Sequence, residues 1–367
     1  MSNSVLTQAS HQWASRPDDQ RFLSLHEMQA RMDYVRNHSN ARVVSSRSVE
    51  LAPMGDDHRG LVAVVGDSEV YAPTHFSFGQ LAQLAEAPAS YLRTMPAEIA
   101  ADCLNYGLGF KRGVQEVGML LYKDGTTELR AATGPNYGRI WNSEIVKSLI
   151  DHIGDGVTGD WKVPGEFGRD VEITRANTTL YASDRDMFVF LADEKHRIEM
   201  PNRRNGEAGS LARGFFCWNS EVGDKTFGIA TFLFDYVCCN RIVWGAEGFK
   251  EIKIRHTSGA PDRWLEEVKP ALLAYANSTQ ATVLDTVKAA QARKVDDLDK
   301  FLTGRFGLGK NKVAAIKVVH EQEEGRPMES LWDVTTGITA YAKGIQHQDD
   351  RVALERIGGA VLDLANE

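Results

Sequence analysis

The stretch Gly214–Ala246 reads GFFCWNSEVGDKTFGIATFLFDYVCCNRIVWGA. Two long apolar, aromatic-rich runs flank one polar turn, which predicts a long β-hairpin over 215–243. Small polar or basic residues such as Asn219 and Arg241 stand at the predicted strand ends. A short strand over 252–255 follows. The pattern indicates an apolar antiparallel sheet and does not by itself indicate a chemistry.

Other parts of the first 260 residues predict further hairpins and several short helices. The dipeptide Asp124-Gly125 is a tight-turn signal between two alternating segments, whereas 200–209 is polar and predicts a loop. Ser77, and either Asn142 or Ser143, are expected to be helix N-caps. The remaining predicted strands are 42–51, 60–66, 117–122, 128–133, 178–182 and 187–192, and the predicted helices are 24–36, 77–84, 88–94, 96–106 and 142–153.

The sequence pattern changes beyond Pro261, where strand patterns stop and helical periodicity takes over. Helices are predicted over 264–301, 311–324, 330–345 and 351–365. We therefore predict an α+β fold: a mixed or antiparallel sheet built of hairpins with flanking helices, followed by a mostly helical C-terminal region. The predicted organisation is a loosely ordered tail over residues 1–20, an α+β core domain over 21–260 and the helical region over 261–367.

Composition excludes some classes of function. The chain has 367 residues and a formal net charge of -8, which argues against a surface coated with basic residues for binding duplexes. The N-terminus lacks an apolar signal core, and no apolar run reaches transmembrane length, so a cytoplasmic location is expected. No cofactor or metal is predicted. Four cysteines without zinc-site spacing are expected to be buried thiols: Cys103, Cys217, Cys238 and Cys239.

Several ordered blocks of the chain resemble one family of phages and plasmids, catalogued as domain of unknown function 932 or phage/plasmid-like protein. The similarity covers residues 20–365 and therefore nearly the whole chain. It implies no residue roles, because the family has no established activity. It does imply a mobile element, often beside genes of DNA metabolism, which is association and not mechanism. The matching blocks are 81–96, 130–146, 213–223, 232–246, 255–257 and 330–342.

The segment 304–317, which begins GRFGLGKN, has two possible interpretations as a site. It nearly spells a phosphate-binding loop of a nucleotide hydrolase, but Asn311 follows the lysine where serine or threonine should bind magnesium. A helix-hairpin-helix fits better, because such hairpins offer backbone N–H groups to nucleic-acid phosphates. The alternative is a glycine-capped helix end followed by a solvated basic face. The basic residues of this segment are Arg305, Lys310, Lys312 and Lys317.

Two further groups of residues are candidates for binding nucleic acid. Tyr137 and Arg139 lie in a glycine-rich loop, where an exposed ring can stack on a base while the arginine holds a phosphate. Alternatively, Tyr137 packs onto the sheet. Basic residues near the long hairpin form either one channel or scattered charges, since 203–255 contains 8 Lys/Arg and 6 Asp/Glu. They include Arg203, Arg204, Arg241 and Arg255.

We therefore expect a non-enzymatic protein of a mobile element that binds single-stranded DNA, acts in annealing or recombination and forms a homo-oligomer. One alternative is a metal-dependent enzyme acting on nucleic acid, for which Asp184, Asp186 and His256 are the first candidates. The other is a protein-interaction or anti-defence module, which the acidic balance and the helical tail also fit.

Overall fold

The computed structural model describes residues 16–54, 60–66, 68–110, 116–164, 172–203, 207–235, 240–242, 252–277, 281–345 and 348–367. It contains sheets of antiparallel and mixed strands with helices, and helices alone from residue 260 onward. The predicted fold class is therefore confirmed. None of the helices in these ranges is long and apolar enough to cross a membrane.

Fifteen strands are described, and they form two sheets. They are β1 Arg21–Phe22, β2 Ser39–Ser45, β3 Val49–Met54, β4 Gly60–Val65, β5 Glu69–Pro73, β6 Glu116–Asp124, β7 Thr126–Thr133, β8 Trp161–Lys162, β9 Leu180–Ala182, β10 Met187–Asp193, β11 Ile198–Arg203, β12 Glu207–Asn219, β13 Phe227–Asp235, β14 Asn240–Ile242 and β15 Ile252–Ile254.

The larger sheet has the strand order β1-β9-β10-β12-β13-β14, with β8, β11 and β15 pairing at its sides. Its centre is the predicted long hairpin, in which β12 and β13 pair antiparallel. Alternate residues of β12 face opposite sides of the sheet, and both sides are buried. Phe215 and Cys217 pack in the core that holds helices, whereas Phe216 and Trp218 belong to a second, aromatic layer. This two-sided burial explains why the hairpin reads as continuously apolar.

The smaller sheet has the order β2-β6-β7-β5-β4-β3 and is antiparallel except for the β5–β7 pair. The hairpin of β6 and β7 turns at Gly125, whose φ of 63° is the left-handed conformation that glycine favours. The prediction of one strand over 42–51 was wrong. A short 3-10 turn at Ser46–Ser48 breaks it, so that β2 and β3 form opposite edges of the sheet.

Twelve α-helices are described, several of them continued by short 3-10 or π segments. They are α1 Leu25–Asn37, α2 His75–Leu84, α3 Ala89–Leu92, α4 Ala97–Phe110, α5 Asn142–His152, α6 Ala260–Arg263, α7 Lys269–Asn277, α8 Ala281–Ala292, α9 Leu298–Lys300, α10 Lys310–Glu324, α11 Leu331–Lys343 and α12 Gln348–Asp363.

The C-terminal helices share an apolar core with one part of the larger sheet. Trp332 and Ile338 of α11 belong to the same buried cluster as Ile198 of β11, Leu211 of β12 and Leu233 of β13. The helices therefore cover one part of the sheet, and α1, α5 and α7 cover another. This packing brings the end of β12 beside the start of α5, where buried polar residues of both elements form hydrogen bonds.

Several local predictions need correction. Thr74, and not Ser77, caps α2, because the Ser77 hydroxyl is buried and donates to the carbonyl oxygen of Leu129 at 2.6 Å. Neither Asn142 nor Ser143 caps α5, which Trp141 precedes as an N-cap without a side-chain bond. The predicted loop 200–209 instead contains the end of β11 and the start of β12, which pair with each other. The loop was predicted because these residues are polar, but polar residues also occupy the ends of paired strands.

The expectation of buried cysteines holds for one residue and fails for another. Cys217 is fully buried, and burial raises the pKa of its thiol. Cys103 is exposed on the outer side of α4, so the prediction for it was wrong. Cys238 and Cys239 lie outside the described residues.

Gly228 gives a test of the central hairpin, because it lies opposite Trp218 in the β12–β13 register. A Cβ atom at Gly228 would lie 1.9 Å from Cζ2 of the buried Trp218 ring. We expect Gly228→Ala to lower the free energy of unfolding by about 1–3 kcal/mol or more, as overpacking does. Gly304→Ala is the control, because nothing lies within 4 Å of its added Cβ. Urea denaturation that gives both variants the same midpoint would contradict this packing.

Candidate functional site

A polar segment at the end of β12, residues 219–222, holds the loop that follows β7. The Tyr137 hydroxyl donates to the carbonyl oxygen of Ser220 at 2.7 Å, and Nε of Arg139 donates to the carbonyl oxygen of Glu221 at 2.7 Å. The amide of Asn219 donates to the carbonyl oxygen of Ile140 at 2.8 Å. The predicted Tyr137–Arg139 loop is thus fixed by backbone acceptors of the long hairpin.

The carboxylate of Glu221 joins three elements in a buried position. One oxygen lies 3.3 Å from the guanidinium of Arg130 on β7, and the two side chains are 4% and 8% exposed. The other oxygen accepts the backbone N–H of Asn142, the first residue of α5, at 2.9 Å. A carboxylate near a helix N-terminus is favourable because of the partial positive charge there. Glu221 therefore ties the smaller sheet, the larger sheet and α5 together.

The ring of Tyr137 contacts one aromatic and one cationic side chain. The His256 ring stacks on it with centroids 4.9 Å apart, and the Arg139 guanidinium lies 5.3 Å from its centroid. Burial raises the pKa of Tyr137, so its hydroxyl stays protonated as a donor. The ring is therefore half-buried and already has two neighbours, and the stacking of a base on it stays a prediction.

His256 is fixed as a neutral ring by its hydrogen bonding. Its Nδ1 lies 3.0 Å from the carbonyl oxygen of Gly138, so Nδ1 carries the donated proton. Nε2 is buried and has no hydrogen-bond partner among the described residues. Burial is the main cause that lowers the pKa of His256 below its usual value, since a second proton would place an unpaired charge in the interior.

The loops that carry Tyr137 and His256 approach each other at Gly138. Its N–H donates to the carbonyl oxygen of His256 at 3.2 Å, and a Cβ atom there would lie 1.9 Å from the carbonyl oxygen of Thr257. An open pocket of about 580 Å³ lies beside the stack, lined by Gly134, Pro135, Asn136, Tyr137, His256, Thr257 and Ser258. Only glycine fits this crossing, which explains its place in the loop.

A short helix, a glycine-containing turn and a longer helix follow one another in the C-terminal region, which is the backbone order that the predicted helix-hairpin-helix requires; its contact with phosphate stays a prediction. Helix α9 continues as a π-helical turn to Arg305, and α10 begins at Lys310. Gly307 between them has a φ of 65°. Gly309 precedes α10 and provides no side-chain cap. The first i to i+4 hydrogen bond of the helix runs from the backbone N–H of Val313 to the carbonyl oxygen of Gly309 at 3.0 Å. The N–H groups of the first turn therefore lack intrahelical acceptors.

The basic residues of this hairpin differ in their partners. Arg305 forms an ion pair with Glu367 at 3.0 Å, and Lys317 pairs with Asp299 at 2.7 Å. Lys310 is exposed and Lys312 is half-buried, and neither forms an ion pair with any described residue. The sequence between Lys300 and Glu321 has no acid, but acids distant in the chain neutralise two of the four charges.

The other predicted basic residues lie at separate positions along the larger sheet. Arg203 ends β11 opposite Glu207, and Arg241 stands in β14 opposite Phe234. Arg255 is exposed directly after β15. Arg204 lies outside the described residues. Their proposed use in one channel stays a prediction.

The three candidate residues for a metal-dependent enzyme have different surroundings. Asp184 is exposed, whereas Asp186 is buried and forms ion pairs with Arg16 and Lys225. Burial opposes ionisation of Asp186, but the two cations keep its pKa lowered. His256 stacks on Tyr137. Within the described ranges, no group of three histidine, cysteine or acidic side chains could hold a metal ion.

Sequence reasoning missed Glu221 and Arg130, which organise this region. Both are charged residues inside apolar segments, LRAAT for Arg130 and CWNSEV for Glu221. A charged side chain at a buried position needs a partner of opposite charge. The sequence could therefore have suggested that Arg130 and Glu221 form an ion pair. Comparisons with protein-family models, with curated proteins and with solved structures gave no match.

Removal of the Glu221 charge tests the buried network. Glu221→Gln leaves the Arg130 guanidinium buried without its counter-charge, so we expect a loss of about 3–5 kcal/mol in the free energy of unfolding. The control is Glu69→Gln, which breaks an exposed pair with Arg42 and should change stability little. Chemical denaturation that shows equal losses for the two variants would contradict a buried tie at Glu221.

His256 gives a pH dependence with a definite sign. Because its pKa is lower in the folded than in the unfolded protein, the unfolded state binds more protons as the pH falls through about 6.5. Stability should therefore decrease on acidification from pH 7 to pH 5. His256→Gln should lessen this dependence, measured by urea midpoints across that range. An identical pH profile for the variant and the wild type would remove His256 as the cause.

Proposed function

We propose that this chain is a non-enzymatic protein that binds single-stranded nucleic acid through the hairpin at Phe306–Lys310. The observation that carries the proposal is an uncapped first turn of α10 beside two lysines without ion pairs among the described residues. Backbone N–H groups at a helix N-terminus bind phosphate oxygens, and the helix dipole adds to the attraction. Positive side chains at the same place supply the salt-dependent part of the affinity.

The surroundings of the hairpin support the same function. A cleft of about 580 Å³ opens beside the first helix of the hairpin and is lined by Arg293, Lys294, Lys300 and Arg305. Asp296 and Asp297 also line it, and Lys294 and Arg305 pair with Glu329 and Glu367, so the cleft itself adds little net positive charge. A narrow basic region in an acidic chain suits contact with one strand better than coverage of a duplex. The expected roles in annealing or recombination rest on the family resemblance and stay predictions.

A second candidate function is protein interaction, which exposed apolar side chains on α3 and α4 favour. Ile99 and Tyr106 of α4 are 49% and 65% exposed, and Tyr91 of α3 is 59% exposed. Cys103 lies between Ile99 and Tyr106 at helical spacing and is also exposed. Such neighbouring apolar groups on a surface are typical of interfaces. A wild-type protein that binds no oligonucleotide would favour this candidate over the first.

The hairpin is tested by salt-dependent binding to a fluorescent single-stranded oligonucleotide. We expect Lys310→Gln combined with Lys312→Gln to weaken binding and to reduce the slope of log K against log salt by about 1.4, since each lost phosphate contact on a single strand contributes about 0.7. Lys317→Gln is the matched control. It removes one lysine charge from the same helix, where each substitution of the double variant also removes one, but Asp299 already neutralises the charge of Lys317.

The comparison between these variants decides the proposal. Equal slopes for the wild type and the double variant would place the contact elsewhere. A wild type that fails to bind at low salt would reject nucleic-acid binding altogether. The control should keep the slope of the wild type, because a salt-bridged lysine contributes little to counterion release.

A further inference from the structure

The guanidinium of Arg36 lies directly over the ring of Trp141. Its Cζ atom is 3.6 Å from the ring centroid. Arg36 stands in the last turn of α1, and Trp141 is a buried residue that precedes α5. Stacking of this kind fixes the plane of the guanidinium through cation–π attraction while its edge keeps free donors.

Arg139 is a second guanidinium at the same ring. Its Cζ atom is 5.5 Å from the Trp141 centroid. Its Nε is held by the carbonyl oxygen of Glu221, which leaves the two terminal nitrogens without a hydrogen bond in the described part of the chain. Two planar donor groups are therefore held beside one indole ring, one from α1 and one from the loop after β7.

These two arginines lack the counter-ions that partly buried cations ordinarily have. No carboxylate of the described residues forms an ion pair with Arg36 or Arg139 at 4.0 Å or less. The nearby acids are Glu221, which pairs with Arg130, and Glu144, which is exposed on α5. Three guanidinium groups thus face two carboxylates, so the cluster has a surplus of positive charge.

The electrostatics of Arg139 agree with this surplus. Burial is the main cause that lowers the pKa of Arg139; Tyr137 and Glu221 oppose this, while the positive charges of Arg130 and Arg36 add to it. A bound anion would relieve both the desolvation and the repulsion. Guanidinium groups bind phosphate through parallel N–H bonds, which makes phosphate the anion that two fixed arginines suit best.

We propose that Arg36 and Arg139 form a second site, which binds one phosphate group of the nucleic-acid strand. The proposal rests on the nucleic-acid binding proposed above and adds a contact far along the chain from the hairpin at α10. Free inorganic phosphate has the same chemistry, so the test separates the two sources. The alternative is a purely structural role, in which Arg36 only packs α1 against Trp141.

Arg36→Gln is the informative variant, because the side chain of Arg36 makes no hydrogen bond in the described part of the chain that the substitution would break. We expect oligonucleotide affinity to fall roughly tenfold, as for a lost charge-assisted contact. The slope of log K against log salt should fall by about 0.7. Arg31→Gln is the matched control, since Arg31 lies on the same helix 5.8 Å from the Tyr34 centroid; it should bind as the wild type does.

Each outcome supports or overturns the second site. Binding by Arg36→Gln with wild-type affinity and slope overturns it and leaves the hairpin proposal intact. A wild type that binds no oligonucleotide overturns both. Unchanged oligonucleotide binding by the variant, together with thermal stabilisation of only the wild type by inorganic phosphate at matched ionic strength, would assign the site to free phosphate. A purely structural role would lower the unfolding temperature of Arg36→Gln without changing the salt slope.

Discussion

The buried carboxylate of Glu221 is the constraint on which the arrangement of the N-terminal part depends. It accepts the first N–H of α5 and pairs with Arg130 of the smaller sheet, while the neighbouring backbone holds Tyr137 and Arg139. A buried charge is costly unless it is paired, so the two sheets and α5 keep one relative position. The same network fixes the conformation of the loop that carries Arg139.

The chain is acidic overall, and both proposed phosphate contacts are places where basic side chains have no ion pair among the described residues. One is the first turn of α10 with Lys310 and Lys312. The other is the pair of guanidinium groups at Trp141, one of which is supplied by Arg36. In both places the structure holds N–H donors in fixed orientations, and such donors bind the oxygens of a phosphate backbone. Neither needs a base-specific contact, as the proposed binding of a strand irrespective of its sequence requires.

The sequence was sufficient for the fold class and for the main hairpins, because apolar alternation and turn residues such as Asp124-Gly125 are local signals. The sequence was insufficient for residues whose role depends on a partner far away in the chain. Ser77 is a buried donor to Leu129 and not a cap, and Lys317 is neutralised by Asp299. The Glu221–Arg130 pair spans 91 residues, so no local pattern could place it. The hairpin at 306–310 could be predicted because all its determinants are contiguous.

Amide hydrogen exchange of the wild-type protein, with and without a single-stranded oligonucleotide, tests the central claim most directly. If phosphates accept the first-turn N–H groups of α10, exchange should slow in the peptide that contains Lys310, Asn311 and Lys312. Peptides from the opposite end of α10, near Glu324, should exchange as before. Bound oligonucleotide without any slowing at the start of α10 would contradict the account.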